Sequence, residues 1–376
     1  MKLLIYGDIG GSGGYIRYCK GLLGSKSIPD YIEVWFICGY SFHQNLLPLD
    51  PEVHVITHRW MTSKNRYYRY LWYFWMYPRI VRKINPDIEF YPSGRLRVYL
   101  RKAVTISTCH NLLLFDDKEL GLITDGKERK QFYYSRKYQA RTFQKSDGVI
   151  FLSDHSKELV SNKVSNIKRS TVIAHGLDTP FIFSTKRTYE FGKEIKILYV
   201  SPIYTYKHQI EVVKAVKILK ELSGMNVSLQ LLGDDTTSAA IELKHVIISE
   251  KVQEYVTLRG SVNYKDLIFE YKSADIFIFA SSSETFGITL LEAMGARLPI
   301  ACSNKSGLPT ILKDAGLYFN PEDPEEMAEA VAKLIVNNKL REDLGERAYK
   351  YALEYTWEEC ARKTFRFIKR VRDSNS

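Results

Sequence analysis

Two glutamates, Glu284 and Glu292, stand eight residues apart at the point where an apolar run ends and a helical pattern begins. Gly287 lies between them, and a glycine at the start of a helix lets backbone N–H groups approach a phosphate, whose charge the helix dipole favours. Glu292 has apolar neighbours, so its burial is costly unless donors such as sugar hydroxyls reach the carboxylate. The spacing therefore predicts a site for a phosphorylated sugar; a helix-capping Glu284 with a solvated Glu292 is the alternative.

His110 ends another apolar run, where a single histidine is more often a structural residue than a catalyst. The acidic pairs Asp116-Asp117 and Asp234-Asp235 consist of adjacent residues, which point to opposite sides and make poor metal ligands. The sequence contains no DxD motif near a strand end and no carboxylate pair spaced for hydrolysis. These patterns predict a reaction that needs neither a metal ion nor a cofactor.

A basic and aromatic segment is the second distinctive region. Residues 66–77 include eight aromatic side chains, and residues 53–86 contain seven Lys or Arg and no acid. Residues 53–115 sum to +9, whereas residues 116–376 sum to only +3. Aromatic rings mixed with cations suit an anionic membrane surface or single-stranded nucleic acid, and a core helix with a basic solvent face is the third interpretation. The candidate membrane or acceptor residues are Arg66, Arg69, Trp72, Trp75, Arg79 and Arg82.

The elements that must position these residues alternate along the chain. Short runs that are apolar on both faces alternate with helical patterns, which is typical of parallel sheets covered by helices on each side. The predicted strands form two series, at 2–6, 32–38, 53–57, 88–91, 104–108, 148–153 and 171–175, and at 196–201, 227–233, 256–260, 276–281, 298–303 and 316–319. Two such series predict an α/β protein with two doubly wound domains. The polar stretch 178–194 is the predicted linker.

Length and composition bound the remaining classes. A chain of 376 residues with 45% hydrophobic and 26% charged residues is expected to fold into two globular domains rather than remain disordered. Its five cysteines are odd in number and lack CxxC spacing, so we expect reduced thiols and no zinc site. The sequence shows neither a signal peptide nor a run of the roughly 18 apolar residues that span a bilayer. A cytoplasmic location is expected, with attachment to the inner face of the membrane as a further expectation.

The stretch 279–295, which carries both glutamates, resembles the E-x7-E signature of family 4 retaining glycosyltransferases. These enzymes have the GT-B fold, in which two Rossmann-like, doubly wound domains face each other with a cleft between them. Further resemblances follow in the family's order at 8–18 (the glycine-rich loop), 108–111 (the active-site histidine segment), 173–179, 258–267 (the nucleotide-facing loop), 298–309 and 355–363 (the C-terminal crossover helix). Together they cover most of the chain.

The resemblance implies a role for each matching residue. Glu292 is expected to bind the ribose hydroxyls of a nucleotide donor, and Glu284 to contact the transferred sugar. Lys207 is expected to stabilise charge on the departing nucleoside diphosphate, and His110 to face the sugar near its anomeric carbon. The catalytic candidates are thus Glu284, His110 and Lys207. The donor-binding candidates are Gly13, Gly14, Arg259, Gly260, Phe286, Gly287, Ile288 and Glu292, with the amides of 286–288 at the diphosphate.

The sequence departs from the family pattern at two positions. Residues 201–203 stand where the family has a GRL pattern, with Pro202 in place of the arginine, so half of the usual cationic clamp is missing. Thr310 stands where a glutamate is usual. The cations considered as replacements are Arg17, Arg259 and Lys305. A catalytically weak, transferase-like partner subunit is therefore one of the alternatives.

The resulting hypothesis is a retaining, metal-independent hexosyltransferase that uses a nucleotide-sugar such as a UDP- or GDP-hexose and no cofactor. Its acceptor is expected to be a lipid-linked or membrane-associated glycan in cell-surface polysaccharide biosynthesis, and nucleic acid is not an expected partner. We expect residues 1–180, with the C-terminal helix 357–376 packed back on them, to form the acceptor-binding domain, and residues 195–356 the nucleotide-sugar-binding domain. Another GT-B enzyme, such as a nucleotide-sugar epimerase or a phosphorylase, is the other alternative.

Overall fold

The computed structural model describes residues 1–7, 13–24, 28–96, 103–123, 125–185, 194–222 and 224–375. Among them the chain forms two compact units. The first unit comprises Met1–Phe115, Lys130–Gly176 and Tyr355–Ser376, and the second comprises Asp116–Arg129 and Leu177–Glu354. Outside the described residues lie 8–12 of the predicted glycine-rich loop, 97–102 of the basic segment and 186–193 of the predicted linker.

The first unit contains a seven-stranded parallel sheet with the strand order β3-β2-β1-β4-β5-β6-β7. The strands are β1 (Lys2–Tyr6), β2 (Glu33–Cys38), β3 (His54–Thr57), β4 (Ile88–Tyr91), β5 (Val104–Thr108), β6 (Gly148–Phe151) and β7 (Ser170–Val172). The helices before α5 are α1 (Gly13–Leu23), α2 (Tyr40–Leu46), α3 (Arg66–Leu71), a π-helical turn (Trp72–Met76) and α4 (Tyr77–Ile84). After α5 (Asp117–Gly121) of the second unit comes α6 (Gly126–Lys145), which belongs to the second unit up to Arg129 and to the first unit from Lys130 onwards. The remaining helices of the first unit are α7 (Asp154–Ser161) and the last helix of the chain, Trp357–Asp373. The strand order reverses between β1 and β4, which defines a doubly wound sheet.

The second unit contains a six-stranded parallel sheet with the order β10-β9-β8-β11-β12-β13. The strands are β8 (Ile195–Val200), β9 (Val227–Leu232), β10 (Val256–Leu258), β11 (Ile276–Phe279), β12 (Ile300–Ser303) and β13 (Leu317–Phe319). The helices are α8 (Gln209–Lys217), α9 (Ser238–Ser249), α10 (Tyr264–Ser273), α11 (Ile288–Gly295), α12 (Leu308–Leu312), α13 (Pro324–Val336) and α14 (Asn338–Ala352), so Trp357–Asp373 is α15. Here the order reverses between β8 and β11.

All thirteen predicted strands are present, and their ends lie within three residues of the predicted ones. The pattern was informative because most strands are apolar on both faces, and β4, β6, β11 and β12 are buried at every position. A strand covered on both faces by helices needs this composition. The predicted α/β class with two doubly wound domains is therefore confirmed.

The division into units differs from the predicted domain boundaries at 116–129 and, by a few residues, at 177–180 and 355–356. We expected all of 1–180 to form one domain, but Asp116–Arg129 group with the second unit. Lys118 of α5 forms an ion pair with Glu322, which is 204 positions away in the chain. A contact over such a distance leaves no local signal, and the sequence pattern accordingly gave no indication of it.

Helix α15 is part of the first unit, although it ends the chain. It packs against α1, where Trp357 lies so close to Gly21 that a Cβ at position 21 would overlap the indole ring. Phe365 and Phe367 of α15 are also buried. The alternation of aromatic and basic residues in α15 therefore reflects one buried and one solvated face.

Two further observations concern the cysteines and the membrane. All five cysteines are buried and none forms a disulfide. Burial raises the pKa of Cys109 to about 12, so this thiol is protonated at neutral pH. Among the residues that the structure describes, no helix combines the length and the hydropathy that crossing a bilayer requires.

Candidate active site

The predicted residues of the second unit gather where its sheet reverses direction. Strands β8 and β11 are hydrogen-bonded neighbours. Lys207 follows the carboxyl end of β8, and Glu284 follows the carboxyl end of β11. Open α/β sheets bind ligands at the carboxyl ends of the strands that flank this reversal. The topology therefore brings together two side chains that are 77 positions apart in the sequence.

Lys207 and Glu284 form an ion pair between Nζ and Oε1. Their side chains are only 9% and 15% exposed. Lys207 ends a 3-10 helical turn, its carbonyl accepts a hydrogen bond from the Tyr199 hydroxyl at 2.7 Å, and its Nζ lies 4.9 Å from the centroid of the Tyr206 ring. Desolvation offsets most of what a buried ion pair contributes to stability. The pair is therefore weak evidence for stabilisation of the fold.

The backbone of Glu284 is held by a residue of the next loop. Its N–H donates to Ser306 Oγ at 3.1 Å, and the Ser306 hydroxyl donates to the Glu284 carbonyl at 2.9 Å. Ser306 belongs to the loop between β12 and α12. Both backbone groups of Glu284 are thus satisfied, which leaves the direction of its side chain fixed by the loop rather than by solvent.

Helix α11 follows the loop that carries Glu284, and Gly287 is the residue directly before its first residue, Ile288. The backbone of Gly287 has a φ of +86°, which is strained for any residue with a side chain, and a Cβ there would lie 3.1 Å from Leu308 Cδ2. The first turn of α11 carries no acidic residue. The free N–H groups at the start of the helix and its positive dipole end can therefore bind an anion.

Glu292 is buried within α11, with 1% of its surface exposed. The Tyr271 hydroxyl of α10 donates to its Oε2 at 2.9 Å. The alternative of a solvated Glu292 is therefore wrong. Burial of a carboxylate in an apolar helix is costly unless the carboxylate accepts hydrogen bonds, and the Tyr271 hydroxyl supplies one of them.

The predicted donor residues Arg259 and Gly260 follow β10. Gly260 accepts a hydrogen bond from the Gly233 N–H at 3.0 Å, which joins this loop to the one after β9. The Arg259 guanidinium forms an ion pair with Glu270, a buried residue of α10. Because Glu270 already binds this guanidinium, Arg259 is a weaker candidate to replace the clamp arginine than the sequence indicated.

A set of buried polar residues next to the ion pair was missed from the sequence. His208 Nε2 lies 3.0 Å from Ser282 Oγ, and the Ser282 N–H donates to the Tyr206 carbonyl at 2.9 Å. Glu119 of α5 is 3% exposed; burial raises its pKa, and a hydrogen bond with Ser282 offsets part of that rise. These contacts connect the turn that carries Lys207 to the loop that carries Glu284. We therefore assign them to positioning of the pair.

His110 lies in the first unit, at the carboxyl end of β5, among aromatic rings. Its ring centroid is 4.8 Å from that of Tyr18, and it stacks on His175 at 5.3 Å with an interplanar angle of 29°. Burial lowers the pKa of His110 to about 3 and also lowers the pKa of His175 well below its usual value. Both imidazoles are therefore neutral at physiological pH. His175 was missed because the stretch 173–179 was interpreted only as a resemblance to the family stretch that precedes the linker.

Gly13 and Gly14, the two predicted donor residues of the first unit, form the first turn of α1. The loop before them lies outside the described residues. Their contact with a donor therefore stays a prediction, as do the ligand contacts predicted for Phe286 and Ile288, which flank Gly287 in the second unit.

The structure corrects the prediction for Trp72, which is not a membrane or acceptor residue. Its side chain is fully buried, stacks on His58 with the ring centroids 5.1 Å apart, and donates from its indole N–H to the Tyr6 hydroxyl at 3.1 Å. Trp72 begins the π-helical turn between α3 and α4. Such a turn holds an extra residue and changes which side chains point to the core. An aromatic pattern read at the α-helical period does not reveal this change.

The other predicted residues of this segment lie at the surface. Trp75 is 47% exposed, and the Arg79 guanidinium carbon lies 3.9 Å from the centroid of its ring. Arg69 is half-buried and donates to the Ser63 carbonyl at 3.0 Å. Eight of the exposed side chains form what we call the α3–α4 surface, namely Arg66, Tyr67, Tyr68, Tyr70, Phe74, Trp75, Arg79 and Arg82.

Comparison with known families agrees with this architecture. Residues 182–351 match the family described as Glycosyl transferases group 1, and residues 31–181 match Glycosyltransferase Family 4. The two matches adjoin and cover every strand except β1. The chain belongs to these glycosyltransferases and has their GT-B fold.

Individual relatives are similar over part or all of the chain. D-inositol 3-phosphate glycosyltransferase of Paenarthrobacter aurescens is 28% identical over 213 residues, which are 54% of this chain and 52% of the relative, so the match spans about half of that protein. Sucrose-phosphate synthase from Thermosynechococcus elongatus superposes with a TM-score of 0.75 at 17% identity over 100% of both chains. HepE from Anabaena in complex with UDP and glucose gives 0.74 at 15% identity over 98% of this chain and 99% of HepE. Identities this low show the shared fold alone.

Proposed function

We propose that this glycosyltransferase is a retaining, metal-independent enzyme that transfers a hexose from a nucleotide-sugar to a lipid-linked or membrane-associated glycan, in cell-surface polysaccharide biosynthesis. The observation that carries the proposal is the buried pair of Lys207 and Glu284 beside the start of α11. A cation, a carboxylate and the positive end of a helix stand together there. This combination suits a sugar attached to a diphosphate. The carboxylate can accept hydrogen bonds from the sugar hydroxyls, while the cation and the helix N-terminus can bind the negative charge of the diphosphate.

The donor site is proposed to lie in the second unit. The amides of Phe286, Gly287 and Ile288 would bind the diphosphate, and the Glu292 carboxylate would accept hydrogen bonds from the ribose hydroxyls. HepE, which has the same fold, was solved with UDP and glucose. That complex supports a UDP-hexose as the first donor to test.

In the proposed reaction the acceptor hydroxyl attacks the anomeric carbon from the face that the diphosphate leaves. The bond to the diphosphate breaks as the bond to the acceptor oxygen forms, and a phosphate oxygen of the leaving group takes the hydroxyl proton. Lys207 and the helix N-terminus would stabilise the charge that develops on the diphosphate, while Glu284 would orient the sugar. Because the leaving group accepts the proton, no protein base is needed, which is compatible with a neutral His110.

Pro202 stands in place of the clamp arginine, so another cation is needed at the diphosphate. Arg259 is already paired with Glu270. Lys305 is exposed in the loop that also carries Ser306, the residue that holds the backbone of Glu284. We propose Lys305 as the second cation at the diphosphate, so that protein cations rather than a metal ion neutralise the leaving group.

The acceptor is proposed to reach the enzyme from a membrane, on the basis of the α3–α4 surface. Seven cations and no acid occur in residues 53–86, and Phe74 and Trp75 are exposed beside Arg79. Exposed aromatic rings favour the headgroup depth of a bilayer, and cations are attracted to anionic lipid. An enzyme attached in this way would meet an acceptor that carries a lipid.

A catalytically weak partner subunit is the second candidate, and Pro202 is the observation that favours it. The two functions differ in what the purified chain does alone. With a UDP-, GDP- or ADP-hexose and a lipid-linked glycan, the enzyme should release one nucleoside diphosphate for each sugar transferred, the product should keep the anomeric configuration of the donor by NMR, and EDTA should leave the rate unchanged. No turnover by the chain alone, with donor binding retained, would instead support the partner subunit.

A further inference from the structure

Helix α6 carries a cationic surface that is not apparent from the net charge of residues 116–376. Residues 116–376 sum to only +3, but Gly126–Lys145 contain seven Lys or Arg and a single acid, Glu128. Acidic residues elsewhere in 116–376 offset this charge in the total, but they do not lie on α6. A local excess of this size attracts anions within a Debye length of the helix.

Five exposed residues of α6 lie on one face. At about 100° per residue, positions 130, 133, 134, 137 and 141 fall within roughly a third of the helix circumference and extend along about 16 Å. The opposite face holds the buried residues Gln139, Thr142 and Phe143. The set that we call the α6 surface is Lys130, Tyr133, Tyr134, Lys137 and Arg141, all of which are exposed.

The cations of this surface keep their charge available. Within the described parts of the chain, no carboxylate forms an ion pair with Lys130, Lys137 or Arg141. On α15, by contrast, Arg362 is held by the neighbouring Glu359 at 2.6 Å. The tyrosines are equally available, because Tyr133 is 45% and Tyr134 is 64% exposed.

The α6 surface belongs to the same layer of the first unit as the α3–α4 surface. Leu96 packs in the core cluster that includes Trp72 and Tyr77. Its N–H donates to Thr142 Oγ1 at 3.2 Å, and its carbonyl accepts from the Tyr138 hydroxyl at 2.5 Å, both from α6. Leu96 therefore packs both against α6 and against the helical segment that carries Trp72 and Tyr77, on one side of the sheet.

We infer that the α6 surface binds the headgroups of an anionic membrane, as a second attachment beside the α3–α4 surface. A helix that lies parallel to the bilayer brings a row of cations about 16 Å long to anionic lipid. Its exposed tyrosines then lie at the depth of the lipid headgroups, which such aromatic rings favour. Nucleic acid fits less well, because the convex face of a helix offers no groove that follows a single strand. The inference rests on the proposed function in one respect, namely that a lipid-linked acceptor gives the enzyme a reason to bind a membrane.

The test compares two variants that lose the same charge. The first carries Lys130→Gln, Lys137→Gln and Arg141→Gln on α6, and the control carries Lys333→Gln, Lys339→Gln and Lys350→Gln, three exposed lysines of the second unit. Binding to vesicles of phosphatidylglycerol and phosphatidylcholine is measured by flotation, with pure phosphatidylcholine as the neutral probe. Each removed cation should lower the partition coefficient by about fivefold at low salt, so we expect a loss on the order of a hundredfold for the α6 variant and less than about threefold for the control.

The tyrosines are tested separately, with Tyr133→Ser and Tyr134→Ser. Binding that survives about 1 M salt, where the screening length is about 3 Å, should fall several-fold in this variant and be unchanged in the α6 charge variant. Unfolding midpoints of all variants within a few degrees of the parent show that the fold is intact.

Three results would overturn the inference: equal losses in the α6 and control variants, equal binding of the parent to neutral and anionic vesicles, or an oligonucleotide that binds more tightly than vesicles and depends on the same cations. Transfer to a water-soluble acceptor is measured in parallel. Vesicle binding that needs α6 in a chain without transferase activity would refute the proposed function alone, while full activity without α6-dependent binding would refute this inference alone.

Discussion

The two units of the molecule present their charges in opposite ways. In the second unit, Lys207 is buried and paired with Glu284, and the loops around it are joined by hydrogen bonds from Ser306 and Ser282. In the first unit, the cations of the α3–α4 and α6 surfaces are solvated on the outside of helices. A small ligand of fixed geometry is recognised by groups that are already in place, whereas a large anionic surface needs only many accessible cations. Loss of one charge should therefore matter far more in the second unit.

The largest effect is expected for Lys207→Met. Removal of one partner of a buried ion pair leaves the Glu284 carboxylate uncompensated and costs about 3–5 kcal/mol in the free energy of unfolding. Loss of a group that stabilises developing charge should also lower kcat about 100- to 1,000-fold. Denaturant unfolding and steady-state kinetics measure the two effects separately.

A double variant serves as the control. Lys207→Met with Glu284→Gln removes both charges, so stability should recover towards that of the parent while turnover stays low. If the single variant keeps turnover within twofold of the parent, the buried pair takes no part in transfer, and the contrast between the units loses its chemical basis.

Trp72 and Trp75 provide a matched pair within the first unit. Trp72→Ala should lower the free energy of unfolding by about 3–5 kcal/mol, because it empties a filled core site. Trp75→Ala should change it by less than about 1 kcal/mol, because its ring is exposed, yet it should weaken the salt-resistant part of vesicle binding. Chemical denaturation and flotation decide between them, and equal destabilisation by both substitutions would contradict the orientation of the π-helical turn.

Glu292→Gln tests whether the donor site uses a buried carboxylate. Loss of a charged hydrogen-bond acceptor should weaken UDP binding by about 1.5–3 kcal/mol, which corresponds to roughly 10- to 150-fold. Tyr271→Phe, which removes the hydroxyl that contacts Glu292, should have a smaller effect, of about 1 kcal/mol. Titration calorimetry gives both values, and unchanged affinity in a folded Glu292→Gln protein would exclude this residue from the site.

The histidine stack predicts how stability depends on pH. His110 and His175 are neutral in the folded protein, because burial lowers their pKa values. The unfolded chain binds protons at the ordinary histidine pKa near 6.5, so the free energy of unfolding should fall as the pH drops below about 6.5, by up to about 1.4 kcal/mol per pH unit for each histidine. His175→Asn should reduce that slope by about one such contribution.

Buried carboxyls also change the stability with pH, so the pH dependence of unfolding must be compared between the parent and His175→Asn. Burial raises the pKa values of Glu89 and Glu119, so their contribution to stability falls as the pH rises and opposes that of the histidines. Urea unfolding of the parent and of His175→Asn at about pH 7.5 and about pH 5.5 isolates the histidine contribution. Parallel pH dependences of the two proteins would show that His175 is protonated to the same degree in both states.

The smallest effect for each charge removed is expected at the α3–α4 surface. Replacement of Arg66, Arg79 and Arg82 by Gln should lower binding to anionic vesicles by about fivefold for each residue at low salt, and by less at high salt because the charges are screened. UDP affinity should be unchanged, because the predicted diphosphate and ribose groups belong to the second unit. A parallel loss of UDP affinity would mean that the two units do not divide recognition in this way.

Residues that lie close together in the sequence could be placed from the sequence alone. Glu284, Gly287 and Glu292 occupy one strand–loop–helix stretch, so their spacing carried the geometry with it. The strands were predictable for a similar reason, since burial on both faces leaves a continuous apolar run. What local composition determines was therefore accessible.

Contacts between distant stretches were not accessible. The proximity of Lys207 to Glu284 depends on the pairing of β8 with β11, and Glu119 reaches Ser282 only because α5 groups with the second unit. Trp72 was misplaced because the helical period changes locally, and the α6 surface was missed because charge was summed over 261 residues. Each failure has the same origin, namely that averaging along the chain hides what the fold brings together.

The π-helical turn has a consequence for how this surface can change over time. It holds one residue more than an α-helix of the same length would need, and each residue turns an α-helix by about 100°. Loss of a single residue within Trp72–Met76 would therefore rotate α3 against α4 by about that angle and exchange buried rings for exposed ones. Short insertions and deletions, rather than substitutions of the arginines, are the changes by which relatives of this chain could redirect the surface without altering its composition.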